Sequence, residues 1–122
     1  MARNIYYTQV DYLEEYRGKS FEGEWPTIGE AFSITVSRFP DNEALKSLTP
    51  SFLSFTFRAA YEKIAQIAYY IKSKGIKKGD NIAVCGKNSP QWALAYLAIT
   101  FLGCVIVPLD HGLRNEELER LL

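Results

Sequence analysis

From residue 88 to residue 109 the chain carries no Asp, Glu, Lys, Arg or His. So long an uncharged stretch must be covered by something, and about 20 apolar residues is the length of a membrane-spanning helix. Its interior argues for a different solution. Gly103 and Pro108 interrupt it, and residues 104–107 form a β-branched run. It reads as a buried helix, a glycine stop and a buried strand. The helix, residues 91–102, is apolar nearly all round, so neighbouring elements must cover it on most sides. The strand, residues 104–108, has the composition of one buried on both faces of a parallel sheet.

The elements before it supply such neighbours. Thr27 reads as an N-cap with Glu30 as its capping-box partner. The helix they open runs to about Arg38 and should bury Ile28, Phe32, Ile34 or Thr35, and Phe39. Pro40 stops it. Residues 44–48 and 53–57 read as two short strands around a Thr49-Pro50-Ser51 turn, since Phe55 and Phe57 alternate with Ser54 and Thr56. Residues 58–74 form the clearest helix, with Ala60, Ile64, Ile67 or Ala68, and Ile71 on one stripe. Gly75 follows as its C′ residue. A polar turn at 76–80, in which Asp80 is a turn or cap residue, leads into a strand at 81–85. Ser89-Pro90 is a cap and first-turn proline for the uncharged helix. A last, solvated helix starts at Arg114 or Asn115.

Helix, hairpin, then helix, strand, helix, strand, helix is a repeated βα crossover. The expected fold is α/β: part of a three-layer αβα domain with a mostly parallel sheet, preceded by a helix and a short β-hairpin. Residues 1–25 read as an N-terminal arm, aromatic but without sustained periodicity, with a short helix at 10–17. Residues 26–122 read as the first part of a larger domain, because the last amphipathic helix ends before its layer is complete.

Composition narrows the class. With 48% apolar and 23% charged residues the chain has the balance of a folded protein rather than a disordered one. Fourteen basic residues oppose fourteen acidic ones, which argues against nucleic acid, or an anionic membrane, as an electrostatically driven partner. Cys85 and Cys104, with no CxxC and one histidine, suit neither a disulfide framework nor a metal site. They are expected as small apolar strand residues in a reducing, cytoplasmic setting. The N-terminus lacks the apolar core of a signal peptide.

Chemical motifs are sparse. There is no GxGxxG. Gly86-Lys87-Asn88-Ser89 departs from a phosphate loop because Asn88 separates lysine from hydroxyl, so it reads as a strand-to-helix turn. Asp110-His111 follows the last strand at its carboxyl end, the edge where open α/β sheets bind ligands. One histidine cannot build a Ser/His/Asp constellation.

A longer pattern is more specific. Ser54-Phe55-Thr56-Phe57, the Tyr61 helix, and Gly75-Ile76-Lys77-Lys78-Gly79-Asp80 occur in one register. So do Asn88-Ser89-Pro90-Gln91-Trp92, Leu102-Gly103, and Val107-Pro108-Leu109-Asp110. Together, over residues 27–122, they resemble the opening of the adenylate-forming (AMP-binding) enzymes, and most of all the long-chain fatty acyl-CoA synthetases. Peptide synthetase adenylation domains share the scaffold.

The resemblance implies a parent ligase using ATP, Mg²⁺ and coenzyme A. A fatty-acid carboxylate attacks the α-phosphate, pyrophosphate leaves, and the coenzyme A thiolate displaces AMP from the acyl-adenylate. The family's Ser/Thr/Gly-rich phosphate loop, Tyr-Gly-x-Thr-Glu segment and catalytic lysine are not among these residues. No catalytic residue is therefore assigned, and this chain alone is expected to be inactive and to hold no cofactor. Asp110, His111 and Gly112 match a loop that borders the coenzyme A channel in some relatives, which are richer in glycine there. The expected partners are the remainder of its own chain, a second copy through dimerisation or element exchange, and a membrane surface contacted peripherally. A stand-alone interaction module is the non-catalytic alternative.

Overall fold

The computed structural model describes residues 26–122; the N-terminal arm and its expected helix lie outside the described residues. In chain order the elements are α1 (Ile28–Arg38), β1 (Glu43–Ser47), β2 (Leu53–Thr56), α2 (Phe57–Ser73), β3 (Asn81–Cys85), α3 (Pro90–Phe101), β4 (Val105–Leu109) and α4 (Asn115–Leu121). β1 and β2 form an antiparallel hairpin, and β3 and β4 a separate parallel pair in the register Ile82↔Ile106. This is the mixed α/β architecture expected from the sequence.

α1 starts where its capping box dictates. The Glu30 N–H donates to Thr27 Oγ1 at 3.2 Å, and the Thr27 N–H donates to Glu30 Oε2 at 2.7 Å. Phe32 seats the helix, its ring centroid 5.8 Å from Phe57 and 6.3 Å from Phe101. Ile28 and Phe39, both expected inside, are exposed by 54% and 37%. The first turn approaches Phe101 through Gly29, where a Cβ would stand only 3.3 Å from the ring, so Ile28 points elsewhere. Phe39 is the C-cap, already off the helical stripe.

Phe57 is the first residue of α2, not the last of β2. Thr56 caps that helix, its Oγ1 accepting the Ala59 N–H at 3.1 Å. The Phe57 and Arg58 N–H groups donate to the carbonyls of Asn42 (3.0 Å) and Pro40 (2.9 Å). Those donors have no partner inside a helix, and the loop after α1 supplies one. The proline that ends α1 thus also anchors the start of α2.

α3 lies at the centre. Leu94 and Ala98 join Ala60 and Ile64 of α2 in one buried cluster, with Phe32, Phe55 and Leu97 packed around it. The next residue, Ile99, faces a different side and joins Val84 and Cys104 in a second cluster, flanked by Ile82, Ile106 and Trp92. Its apolar circumference is covered by α1, α2, the hairpin and the parallel strands. Among the described residues no helix is long and apolar enough to cross a membrane.

Gly103 turns the chain from α3 into β4 at φ +68°, a conformation that favours glycine. Its carbonyl accepts the Gly79 N–H at 3.0 Å, joining the two turns that lead into β3 and β4.

Expected burial of β4 on both faces is not found. Ile82, Val84 and Ile106 pack beneath the helices, whereas Val105 is 50% exposed on the other side. The described residues supply helices to one face of the sheet, so they build two of the three expected layers. Cys85 also departs from expectation. It sits at an outward position of β3 and is exposed, while Cys104 is buried with its thiol 3.3 Å from the Lys77 carbonyl.

Leu94→Ala is expected to cost about 2–5 kcal/mol, because it opens a void where two elements meet. Leu48→Ala, at a side chain 70% exposed, should stay within about 0.5 kcal/mol. Urea denaturation of both variants checks the contrast. Thr27→Ala should cost about 1 kcal/mol by removing the cap of α1. The Thr27 backbone N–H, and then its hydroxyl, hold the Glu30 carboxyl below its ordinary value of 4.5. A depressed folded-state value means this contribution is present above pH 4.5 and lost as pH falls through the lower value. The stability advantage of the native chain over Glu30→Gln should therefore be present at neutral pH and vanish in acid titration.

Candidate functional site at the carboxyl ends of the parallel strands

β3 and β4 run side by side, so Cys85 and Leu109 bring their carboxyl ends to one edge. Two loops leave from there: residues 86–89 into α3, and residues 110–114 into α4. The first is fixed by Ser89, whose Oγ accepts the Trp92 N–H at 3.2 Å as the N-cap, with Pro90 following. Gly86 faces the Trp92 ring, where a Cβ would lie at 3.6 Å. Residues 86–89 are thus a strand-to-helix turn whose one hydroxyl is committed to capping.

The second loop is organised by Asp110. Its Oδ1 accepts the Gly112 N–H at 2.8 Å, and His111 Nδ1 stands 3.5 Å from the same oxygen. Its carbonyl accepts the Leu113 N–H at 3.2 Å, and the Cys85 thiol approaches that carbonyl at 3.7 Å. The three residues singled out in the sequence therefore form one unit. It is open to solvent, with side-chain exposures of 54% for His111 and 74% for Asp110. An exposed pair so close is worth little to stability. A Cβ on Gly112 would meet only an ordinary contact with Asp110 at 3.4 Å, so the turn does not demand glycine for space.

This edge presents a carboxylate, an imidazole and backbone groups to whatever crosses it. Its one thiol, Cys85, approaches the Asp110 backbone carbonyl rather than a side-chain base, so the arrangement suits hydrogen bonding to a ligand. Among the described residues no three His, Cys, Asp or Glu side chains converge on a point where a metal would be held. Sequence reasoning missed Cys85 as part of this edge. The signal was the alternation in β3, where Ile82 and Val84 face inward and Ala83 and Cys85 do not.

Asp80, expected at a turn or cap, occupies one at the other end of β3. Its Oδ2 accepts the Lys77 N–H at 2.7 Å. The acidic run of α4 is a solvated face, with Glu117 Oε2 accepting the Arg114 N–H at 2.8 Å and no residue buried.

The family model for AMP-binding enzymes matches residues 32–122. The chain is 34% identical over 96 residues to the mouse medium-chain acyl-CoA ligase ACSF2, mitochondrial, covering 79% of this chain and 15% of that protein. It is 30% identical over 104 residues to long chain acyl-CoA synthetase 1 of Arabidopsis thaliana, covering 80% of this chain and 16% of that protein. The chain thus spans about one-sixth or less of the length of these relatives. Among solved structures, the Klebsiella oxytoca NpsA N-terminal subdomain in complex with anthranilyl-AMSN superposes with a TM-score of 0.73 at 24% identity. That match covers 81% of this chain and 25% of that one, and it shows the fold. A mutant form of coronafacic acid ligase from Pectobacterium brasiliense superposes equally well, at 0.73 and 28% identity, over 79% of this chain and 18% of that one. Taken with the capped βα crossovers that carry the sequence pattern, the match over residues 32–122 places this chain in the AMP-binding enzyme family.

Proposed function

We propose that the chain is the first part of the large N-terminal domain of an acyl-CoA synthetase. Such an enzyme joins a fatty acid to coenzyme A, with ATP giving AMP and pyrophosphate by way of an acyl-adenylate. The observation that carries this reading is the identity to acyl-CoA ligases over about four-fifths of the chain. The described residues supply scaffold. The remainder of the chain would bring the polyphosphate clamp, any Mg²⁺ ligands and the acyl pocket. Two free cysteines suit a reducing compartment, and a cytoplasmic location is part of this reading. Asp110, His111 and Gly112 are proposed to border the path of the coenzyme A arm, where the exposed carboxylate and imidazole can accept or donate hydrogen bonds.

A second reading is favoured by the fold neighbours. NpsA is also seen as the adenylation part of NpsA-ThdA, an artificially fused adenylation-PCP di-domain. On that reading the acceptor thiol belongs to a carrier protein rather than to free coenzyme A.

The test begins with the coding sequence past the codon for Leu122. A frame that continues into a Ser/Thr/Gly-rich loop ending in Lys-Gly is the expected result; an immediate stop codon overturns the enzyme reading. The 122-residue chain alone should give no ATP–pyrophosphate exchange. The longer product should give exchange dependent on a fatty acid and should form a coenzyme A thioester. Thioester formation only on a carrier protein would decide for the second reading. In the longer product, Asp110→Ala with His111→Ala should raise KM for coenzyme A about two- to ten-fold, the worth of one hydrogen bond. Pyrophosphate exchange should be unchanged, because the adenylation half-reaction precedes coenzyme A.

A further inference from the structure

The other end of the parallel pair carries a second feature. At the amino ends of β3 and β4, a cavity of about 460 Å³ opens between the end of α2 and the end of α3. Ile76, Phe101 and Leu102 form its floor, and Lys72, Lys77 and Lys78 stand around it. The floor is fixed from beneath. Ile76 and Leu102 pack against the second core cluster and Phe101 against the first, its ring edge-on to Tyr61 with 5.9 Å between centroids. The stem of Lys78 crosses Gly103, its Cγ lying 3.0 Å from where a Cβ on that glycine would be.

Two helices end at this cavity, and a lysine beside a helix C-terminus is ordinarily a partner for its dipole. The magnitudes exceed that role. Each C-terminus carries about half a negative charge, against a full positive charge on every lysine. Backbone donors already engage the last carbonyls: the Gly75 N–H donates to the Lys72 carbonyl at 3.0 Å, and the Gly103 N–H to the Thr100 carbonyl at 3.0 Å. Asp80 is the one acidic residue from 72 to 80, and its carboxylate accepts the Lys77 N–H. Among the described residues no carboxylate lies within ion-pair distance of Lys72, Lys77 or Lys78, whereas Lys46, Arg58 and Arg114 each pair with one. Positive charge is therefore left over around an apolar floor. On the flank, Lys74 Nζ stands 5.0 Å from the Tyr70 ring, and Tyr69 and Tyr70 are both exposed.

We propose that this cavity is the docking site of a separate protein that presents an acidic amphipathic helix. One large apolar side chain of that helix fills the cavity, and carboxylates one turn before and after it face Lys72, Lys77 and Lys78. Helix residues three and four apart lie on one face, so that spacing sets acidic groups on both sides of a single anchor. Shape and charge both argue for this occupant. A concave site accepts a protruding side chain, which a flat surface does not supply, and a floor already fixed by the core leaves little to be ordered on binding. The leftover lysine charge selects an acidic partner and steers its approach. An apolar centre, a polar rim and neighbouring tyrosines are the anatomy of a protein–protein contact. The loop at residues 110–112 follows the opposite ends of the strands, so a partner seated here leaves it open.

The test is fluorescence polarisation of a fluorescein-labelled helical peptide of about 14 residues, or four turns, titrated with the full 122-residue chain. The peptide carries Glu along its polar face and one central Leu as the anchor. The expected result is saturable binding with a Kd below about 1 mM, weakened by high salt. Replacing the Leu by Ser, or every Glu by Gln, should abolish it. The triple variant Lys72→Gln, Lys77→Gln, Lys78→Gln should bind the acidic peptide about ten-fold more weakly, the effect of three exposed ion pairs. Circular dichroism checks that this variant folds; if it does not, the Gln-substituted peptide reads the same contacts from the other side. Lys87→Gln, which changes a lysine at the other end of β3, should bind normally. Absence of peptide binding, indifference to the Leu anchor, or undiminished binding by the folded triple variant would overturn the proposal. So would binding to phosphatidylserine–phosphatidylcholine vesicles without binding to the peptide, which makes lipid the occupant. Self-association in sedimentation that the triple variant loses would overturn it too, by making a second copy the occupant.

Discussion

The structure depends on how α3 is covered. Its circumference is apolar, so no orientation of it can face water without cost, at about 25 cal/mol for each Å² exposed. Two clusters solve this from opposite sides. α2, with Phe32 of α1 and the hairpin, closes over Leu94 and Ala98; β3 and β4 close over Ile99. The hairpin and the parallel pair share no ladder and meet through this helix. Local signals bring each element to the wedge at the right angle: the capping box of α1, the Pro40 and Asn42 carbonyls at the start of α2, and Gly103 between α3 and β4.

The same arrangement leaves the two ends of the parallel pair with different chemistry. At the carboxyl ends, Asp110 gathers its own loop and leaves a carboxylate and an imidazole in solvent. At the amino ends three lysines, Lys72, Lys77 and Lys78, line a cavity with Ile76, Phe101 and Leu102.

Most of the element order was legible because its causes are local. Thr27 and Glu30, Ser89 and Pro90, and the 3.6-residue spacing of Ala60, Ile64 and Ile67 act within a few residues of themselves. The errors fall where a distant partner decides. Phe57 continues the alternation of β2, yet carbonyls from residues 40 and 42 capture its N–H and that of Arg58 and start a helix there. Ile28 belongs to the apolar stripe of α1, but the close approach of that turn to Phe101 is made at Gly29. Cys85 has a buried residue's composition and an outward position in the strand.

The sequence by itself determined that residues 88–109 become an apolar helix, a glycine stop and a strand, and the pattern around them was enough to indicate the family. Hydrophobic periodicity and capping chemistry are properties of neighbouring residues, so they can be read along the chain. Only the tertiary structure decided which face of β3 and β4 receives helices, and that the stem of Lys78 crosses the Gly103 turn. Those outcomes depend on the crossing of α2 and α3 and on strand register. Both are set by packing between residues far apart in sequence, and no local pattern encodes them.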